Sequence, residues 1–311
     1  MRVSVVVCTY SPERFEAFVA AVESLRNHTY SPIEIVLVID GNEAVYEDAK
    51  AQFGEDDAIS VHCNDGNRGL SYSRTRGVES ATGDVIAFID DDAVAEPDWI
   101  EELVRGYEET DAIAVGGRMV PEWVAGKPDH LPEEFYWLVG ANYAPRLEPW
   151  SDVRNTLGSN MSFRAEVFDE LGGFDEQVGL TANSQIQADE TEFAIRMQEA
   201  FGKGMLYQPD AVVAHKIFEY RTEPLWLLKR AFWQGYSKRV LGKGRGSGLK
   251  ENETAFLAHL GFEAVPRRIR GLLRDSTLAQ VQQLVMLFFL TACVGKGYLY
   301  AILADRLAVQ D

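Results

Sequence analysis

Cysteine is scarce in this 311-residue chain, and base is outnumbered by acid. The three cysteines, Cys8, Cys63 and Cys293, are odd in number, far apart and without the close spacing of metal ligands. That excludes a disulfide scaffold and favours a reducing compartment. Thirty Lys and Arg face 48 Asp and Glu, a formal net charge of −18. General nucleic-acid binding is excluded, because phosphate contacts need a cationic face. Such an acidic surface suits a protein kept soluble in concentrated salt, as in a halophile. Long apolar runs are also missing. The opening MRVSVVVCTYSPERF has too short a run for a signal peptide, so the main body is not expected to be exported. Leu284 to Val294, 11 residues without a charge, is too short to span a bilayer, and Lys296 between two glycines interrupts its continuation. No G-x-G-x-x-G follows the first strand pattern, so a dehydrogenase-type phosphate turn is absent.

What is present is alternation. Residues 3–8 (VSVVVC), 33–39 (IEIVLVI), 58–63 (AISVHC) and 85–89 (VIAFI) are short β-branched apolar runs, the pattern of strands buried on both faces. Helical spacing lies between them: Phe15, Phe18, Val19, Val22 and Leu25 recur behind Ser11-Pro12, a cap and first-turn proline. Strand alternating with helix predicts a mostly parallel sheet with right-handed crossovers, whose ligands bind beyond the carboxyl ends of the strands. The regular alternation fades after residue 112. Five prolines among aromatics in 121–155 predict long ordered loops at a site. A helix is expected over 189–201, ended by Gly202 and Gly204. GKGRGSG, 242–248, reads as a flexible basic loop.

The strand ends supply Thr9 and Tyr10, Asp40-Gly41-Asn42, the run Asn64 to Gly69, and then three adjacent carboxylates, Asp90, Asp91 and Asp92. Hard divalent cations take oxygen ligands and share them between protein carboxylates and substrate phosphates. In extended chain Asp90 and Asp92 point one way and Asp91 the other, so an Asp-x-Asp pair can serve one ion. By itself the pattern also fits a solvated acidic turn; closing a buried strand, it favours a metal site.

Several segments, in order over residues 3 to about 240, resemble the family 2 glycosyltransferases. VVVCTYSPE, LVIDGN, NRGLSYSRTRG, FIDDDA, LGSNMSFRAEVFDELGGFDE, DETEFAIRM and VVAHK carry the likeness. The resemblance implies an α/β fold of the GT-A type, a nucleotide-sugar-binding fold with a mostly parallel central sheet flanked by helices. It implies donor contacts at Thr9, Tyr10, Asp40, Asn67, Gly69, Arg74, Asp91, Gly158, Ser159 and Asn160, with a UDP-sugar as donor. It implies Mn²⁺ or Mg²⁺ held by Asp90, Asp92 and His215, and an inverting reaction with a carboxylate base. Position points to Glu190 and side-chain type to Asp189, so the base stays open between them; at a helix N-terminus the dipole would keep either ionised. Thr75 stands where asparagine is commoner.

Residues 216–274 hold 13 Lys and Arg against 5 Asp and Glu, a basic region on an acidic body. Arg267, Arg268, Arg270 and Arg274 precede the apolar run, a pattern suited to an interfacial helix pinned to anionic lipid or to a buried helix of the catalytic part. The chain thus divides into a catalytic domain over 1–240 and a basic loop with a helical, membrane-associating region over 241–311. It looks like the haloarchaeal enzymes that build dolichol-phosphate-linked N-glycans for surface-layer glycoprotein, some of which transfer hexuronic acids. The implied partners are a lipid-linked glycan acceptor and the cytoplasmic face of the cell membrane. A uronic donor needs a cation near its carboxylate, for which Arg118, Arg164, Lys216 and Arg221 are candidates. Two rival readings are a nucleotidylyltransferase, which should carry a glycine-rich loop where CTYSPERF has none, and a non-catalytic sugar-nucleotide-binding module, which would tolerate loss of the acids at 189 and 190.

Overall fold

The computed structural model describes residues 1–143, 147–179, 186–242, 248–274 and 277–308; most of the expected basic loop, 243–247, lies outside them. The chain forms two compact units, Met1–Glu122 with Ala144–Lys216, and Trp123–Tyr143 with Ile217–Asp311. The boundary expected at 240 falls inside the second of these.

The first unit is built on one sheet. Strands β1 (Val3–Thr9), β2 (Ile33–Ile39), β3 (Ile59–Cys63) and β4 (Val85–Asp90) pair in parallel in the order β3-β2-β1-β4. They alternate with helices α1 (Phe15–Arg26), α2 (Glu43–Phe53) and α3 (Leu70–Ser80). Branched side chains explain the strands: Val5, Val6, Val7, Leu37, Val38 and Ile39 are all buried, which requires apolar cover on both faces. The helix behind Ser11 begins as a short 3-10 turn, Pro12–Arg14, and Ser11 does not cap it. Its hydroxyl donates to Glu13 instead.

Beyond β4 the sheet is mixed rather than parallel. After β5 (Ala93–Ala95) and α4 (Trp99–Glu109) come β6 (Ala114–Trp123), β7 (Asp152–Val153), β8 (Met161–Arg164), α5 (Ala165–Leu171), α6 (Asp189–Phe201) and β9 (Met205–Ile217). The order continues β4-β8-β6-β9-β5, with β7 beside β9. β8 runs antiparallel to β4 and β6, and β9 antiparallel to β5 and β7. Two cores flank the sheet. One packs β1, β2 and β4 against α1 and α4 around Phe18, Leu25 and Trp99; the other packs the opposite face against α5 and α6 around Phe88, Phe163, Phe168 and Phe193. Expectation and structure agree on α6, whose first turn holds Asp189 and Glu190 and whose end is capped by left-handed Gly202.

The second unit is helical: α7 (Pro224–Leu241), α8 (Gly248–His259), a π-helical turn Leu260–Ala264, α9 (Val265–Arg274) and α10 (Leu278–Ala308), with the 3-10 segment Glu133–Val139. α10 passes unbroken through Gly295 and Gly297. A Cβ on Gly297 would sit 1.9 Å from the Phe232 carbonyl oxygen, and one on Gly235 1.9 Å from that of Val294. These glycines therefore let α7 and α10 approach, and do not end the helix. Leu278–Ala304 is long and apolar enough to cross a membrane, with 28% of its most apolar window buried; continuity overturns the expectation drawn from the 11-residue run. Inside this unit the carboxylate of Glu134, fully buried, is held by Arg267 and Arg268. Of the four arginines expected to face lipid, only Arg270 and Arg274 are left outside that arrangement.

Candidate active site

The crowd of carboxylates at the end of β4 is met by two arginines. Strand β4 stops at Asp90, and the turn at 91–92 breaks the expected alternation. Asp90 pairs with Arg74 at 3.1 Å, whereas Asp91 and Asp92 both turn to Arg14, at 3.2 and 3.4 Å. The residues expected to share one direction thus meet different cations, because pleating ends where the strand does. Arg14 escaped sequence reasoning. Its signal was a lone cation in the turn after β1, five residues beyond the strand's end, within reach of an acidic run.

Arg74, on α3, is the centre of the cluster. Its guanidinium donates to Asp189 Oδ2 at 2.9 Å and Asp90 Oδ1 at 3.1 Å, tying the start of α6 to the end of β4. Burial alone would lower its pKa; the charges of Asp189 and Asp90 more than offset this and raise it. Gly158 makes room, since a Cβ there would stand 2.7 Å from Nη2 of Arg74. Glu190 is half-buried beside Asp189. Burial first, then the charge of Asp189 and the hydrogen bond that the protonated Glu190 carboxyl donates to it, push Glu190 up to about 8, with Arg74 pulling the other way. The expectation that the helix dipole would keep it ionised is overturned: desolvation and a like charge exceed a fraction of a dipole charge.

The remaining expected residues fall into two groups. Thr9 donates to Asp91 at 2.7 Å. Burial and the charge of Asp92 raise Asp91 to about 6 against the pull of Arg14. His215 Nε2 lies 3.1 Å from Asp92 Oδ1, because β5 and β9 pair with Ala93 opposite His215. Ser159 accepts the Asp90 N–H at 2.9 Å. Tyr10 and Asn67 are exposed at the same strand ends. Asp40 instead organises a loop. Its carboxylate accepts from Asn64 Nδ2 at 2.9 Å and from the N–H groups of Arg68 and Gly69 at 2.8 Å, fixing the start of α3. Gly41, in left-handed backbone at φ 71°, allows this approach; a Cβ would lie 2.0 Å from Gly66. Asn160 is fully buried, and its amide is used up by Trp99, Gly117, Arg118 and Ala211. It holds β6, β8 and α4 together and does not face a ligand. Cys8, opposite Asp90 in the register, is no nucleophile: burial pushes its thiol up despite Arg74.

Among the described residues no three His, Cys, Asp or Glu side chains converge as a ready metal cage. Asp92 and His215 nevertheless offer a carboxylate oxygen and an imidazole nitrogen in contact. With Asp90 nearby, this is a donor set that fits a divalent ion completing its shell on substrate phosphate.

Comparison with known proteins fits this arrangement. Residues 4–172 match the description "Glycosyl transferase family 2". A glucosyl-dolichyl phosphate glucuronosyltransferase of Haloferax volcanii is 51% identical over 308 residues, covering 99% of this chain and 98% of that protein. Among solved structures, a mannosyltransferase from Pyrobaculum calidifontis in complex with GDP-Man and Mn²⁺ superposes with a TM-score of 0.63 at 17% identity, over 95% of this chain and 86% of that one. S. aureus TarS 1-349 in complex with UDP-GlcNAc gives 0.55 at 14% identity, over 99% and 92%. A GT-A-type sheet with an acidic cluster at its carboxyl edge agrees with that family match. The chain belongs to the family 2 glycosyltransferases.

Proposed function

We propose that this glycosyltransferase moves a hexuronic acid, glucuronate, from UDP to a dolichol-phosphate-linked sugar, with inversion and with a divalent metal. The observation that carries the reading is the 51% identity to the Haloferax glucuronosyltransferase along nearly the whole of both chains. Membership of the family, and the presence of both acids at the start of α6, weigh against the nucleotidylyltransferase and the non-catalytic module.

The acceptor hydroxyl attacks the anomeric carbon from the side opposite the departing diphosphate. Glu190, whose carboxyl is raised to about 8, takes the hydroxyl proton; a carboxylate raised in this way is a stronger base than an ordinary one. Asp189 stays paired with Arg74 and acts by position, raising the basicity of Glu190 and orienting Arg74. Asp92 and His215, with Asp90, would hold a divalent ion, which would supply positive charge against the leaving diphosphate. Arg74 holds Asp90 at the edge of that site. Direct displacement needs no covalent protein nucleophile.

The second unit supports a lipid-borne acceptor and a membrane site of action. Apolar side chains stand exposed along its last helices, among them Phe262 at 83%, Leu273 at 82%, Leu278 at 74% and Leu299 at 61%. Cationic Arg270 and Arg274 lie beside Ile269 and Leu273 on α9. Apolar cover with basic neighbours is the composition of a segment that binds anionic bilayers, and a lipid-borne acceptor is met at that surface. We place the enzyme on the cytoplasmic face of the membrane. The test is a donor panel: purified protein in high salt with Mn²⁺ or Mg²⁺, UDP- and GDP-sugars, and glucosyl-dolichyl phosphate in detergent. Transfer from UDP-glucuronate, lost on chelation, supports the reading; consumption of UDP-glucose or GDP-mannose in its place rejects it.

A further inference from the structure

Arg118 is a cation at the catalytic edge of the sheet with no acidic partner among the described residues. Its position follows from register. Gly116 stands opposite Met161 on β8, and the Gly117 N–H donates to the Asn160 carbonyl at 3.2 Å. One step on, Arg118 is level with Ser159, the residue that accepts the Asp90 N–H, and its own carbonyl is pinned by Asn160 Nδ2 at 3.1 Å. Its direction follows from the pleat. Val115 and Met119 belong to the core on the α1 and α4 side, Ala114 to the core on the α5 and α6 side. With a period of two, Arg118 goes with Ala114. That face carries Arg74, Asp90 and the first turn of α6.

The Arg118 guanidinium makes no ion pair or hydrogen bond among the described residues, and its Nε is buried without a partner. Its electrostatic influence reaches the Tyr207 phenol. In a chain with 48 acids and 30 bases, a half-buried arginine that no acid has claimed is conspicuous, because a desolvated guanidinium is costly unless an anion compensates it. The other three candidates are placed differently. Arg164 spends its guanidinium on the Ala112 and Tyr107 carbonyls and sits opposite Val85, at the far end of β4. Arg221 belongs to the second unit, where it lies against Tyr220 and Phe218. Lys216 carries a point charge without the planar fork that matches a carboxylate.

We propose that Arg118 receives the C5 carboxylate of the hexuronate on the donor, as a two-pronged ion pair, and so sets the enzyme's choice of uronate over neutral hexose. This rests on the glucuronosyl reading above. A charge-assisted hydrogen bond contributes about 1.5–3 kcal/mol, a factor of roughly 10 to 150 in kcat/KM.

The experiment compares UDP-glucuronate with UDP-glucose, which differ only at that carboxylate, for wild type, Arg118→Gln and Arg118→Lys. Binding of UDP alone serves as a check on folding. The expected result is a fall of at least tenfold in the glucuronate-to-glucose ratio of kcat/KM for Arg118→Gln, partly recovered in Arg118→Lys, with UDP affinity within twofold of wild type. An equal loss on both donors, or no loss, overturns the role of Arg118 while a wild-type preference for UDP-glucuronate leaves the donor reading standing. A wild type that does not prefer UDP-glucuronate overturns both.

Discussion

Replacing Glu190 by glutamine should make the fold less sensitive to alkali. The unfolded chain releases this proton near 4.5, the folded chain near 8. Between those values the folded state binds more protons than the unfolded one. The stability owed to the neutral carboxyl is therefore fully present below about 4.5 and is lost as pH rises through about 8. At roughly 1.4 kcal/mol per pH unit the separation sets a ceiling near 5 kcal/mol, which screening of a half-buried group reduces to about 2–3 kcal/mol. Glutamine keeps the shape and removes the titration. Urea unfolding at pH 5 and pH 9 should show wild type losing about 2–3 kcal/mol more than Glu190→Gln between the two. Equal losses, or a variant that loses more, would refute the claim that burial and Asp189 hold this carboxyl protonated. The same residue predicts that wild-type kcat/KM climbs with pH until about 8, and that Glu190→Gln turns over about 10²–10⁴ times more slowly.

Other expectations rest on single contacts. Arg74→Gln leaves Asp189 buried and unpaired, and should cost about 3–5 kcal/mol in unfolding free energy as well as activity; a variant of wild-type stability contradicts the pairing. Gly158→Ala puts a Cβ 2.7 Å from the Arg74 guanidinium, so kinetics should suffer more than thermal stability, which calorimetry beside initial rates will test. Asn160→Ala strands the partners of a fully buried amide and should lower stability by about 2–4 kcal/mol. Phe262→Ser with Leu273→Ser should reduce co-sedimentation with anionic vesicles at least threefold; unchanged binding contradicts the membrane face.

The parallel half of the sheet was legible because its strands are buried on both faces, and continuous apolar runs such as VSVVV have few other uses. α6 was legible from its stripe, Phe193 and Met197, and from its terminal glycine. The antiparallel half was not. β7 and β8 have only 2 and 4 residues, too short for a period to declare itself, and the place of β8 is fixed by the adjoining Asn160 and its distant partners. The identities of the acids were legible, but their partners were not: Arg14 meets Asp91 across 77 positions and Arg74 meets Asp189 across 115. The basicity of Glu190 depends on burial, which no local pattern carries. In the second unit, the glycines at 295 and 297 read as a break because the use of Gly297, the close approach of α7, is a tertiary fact.

The most direct test of the central claim is single-turnover transfer from UDP-glucuronate to glucosyl-dolichyl phosphate, with the anomeric configuration of the product read by NMR, for wild type, Glu190→Gln and Asp189→Asn. Inverted, β-linked product from wild type, none from Glu190→Gln, and slowed transfer by Asp189→Asn is the result predicted. Retained configuration, or Glu190→Gln working at the wild-type rate, would contradict it.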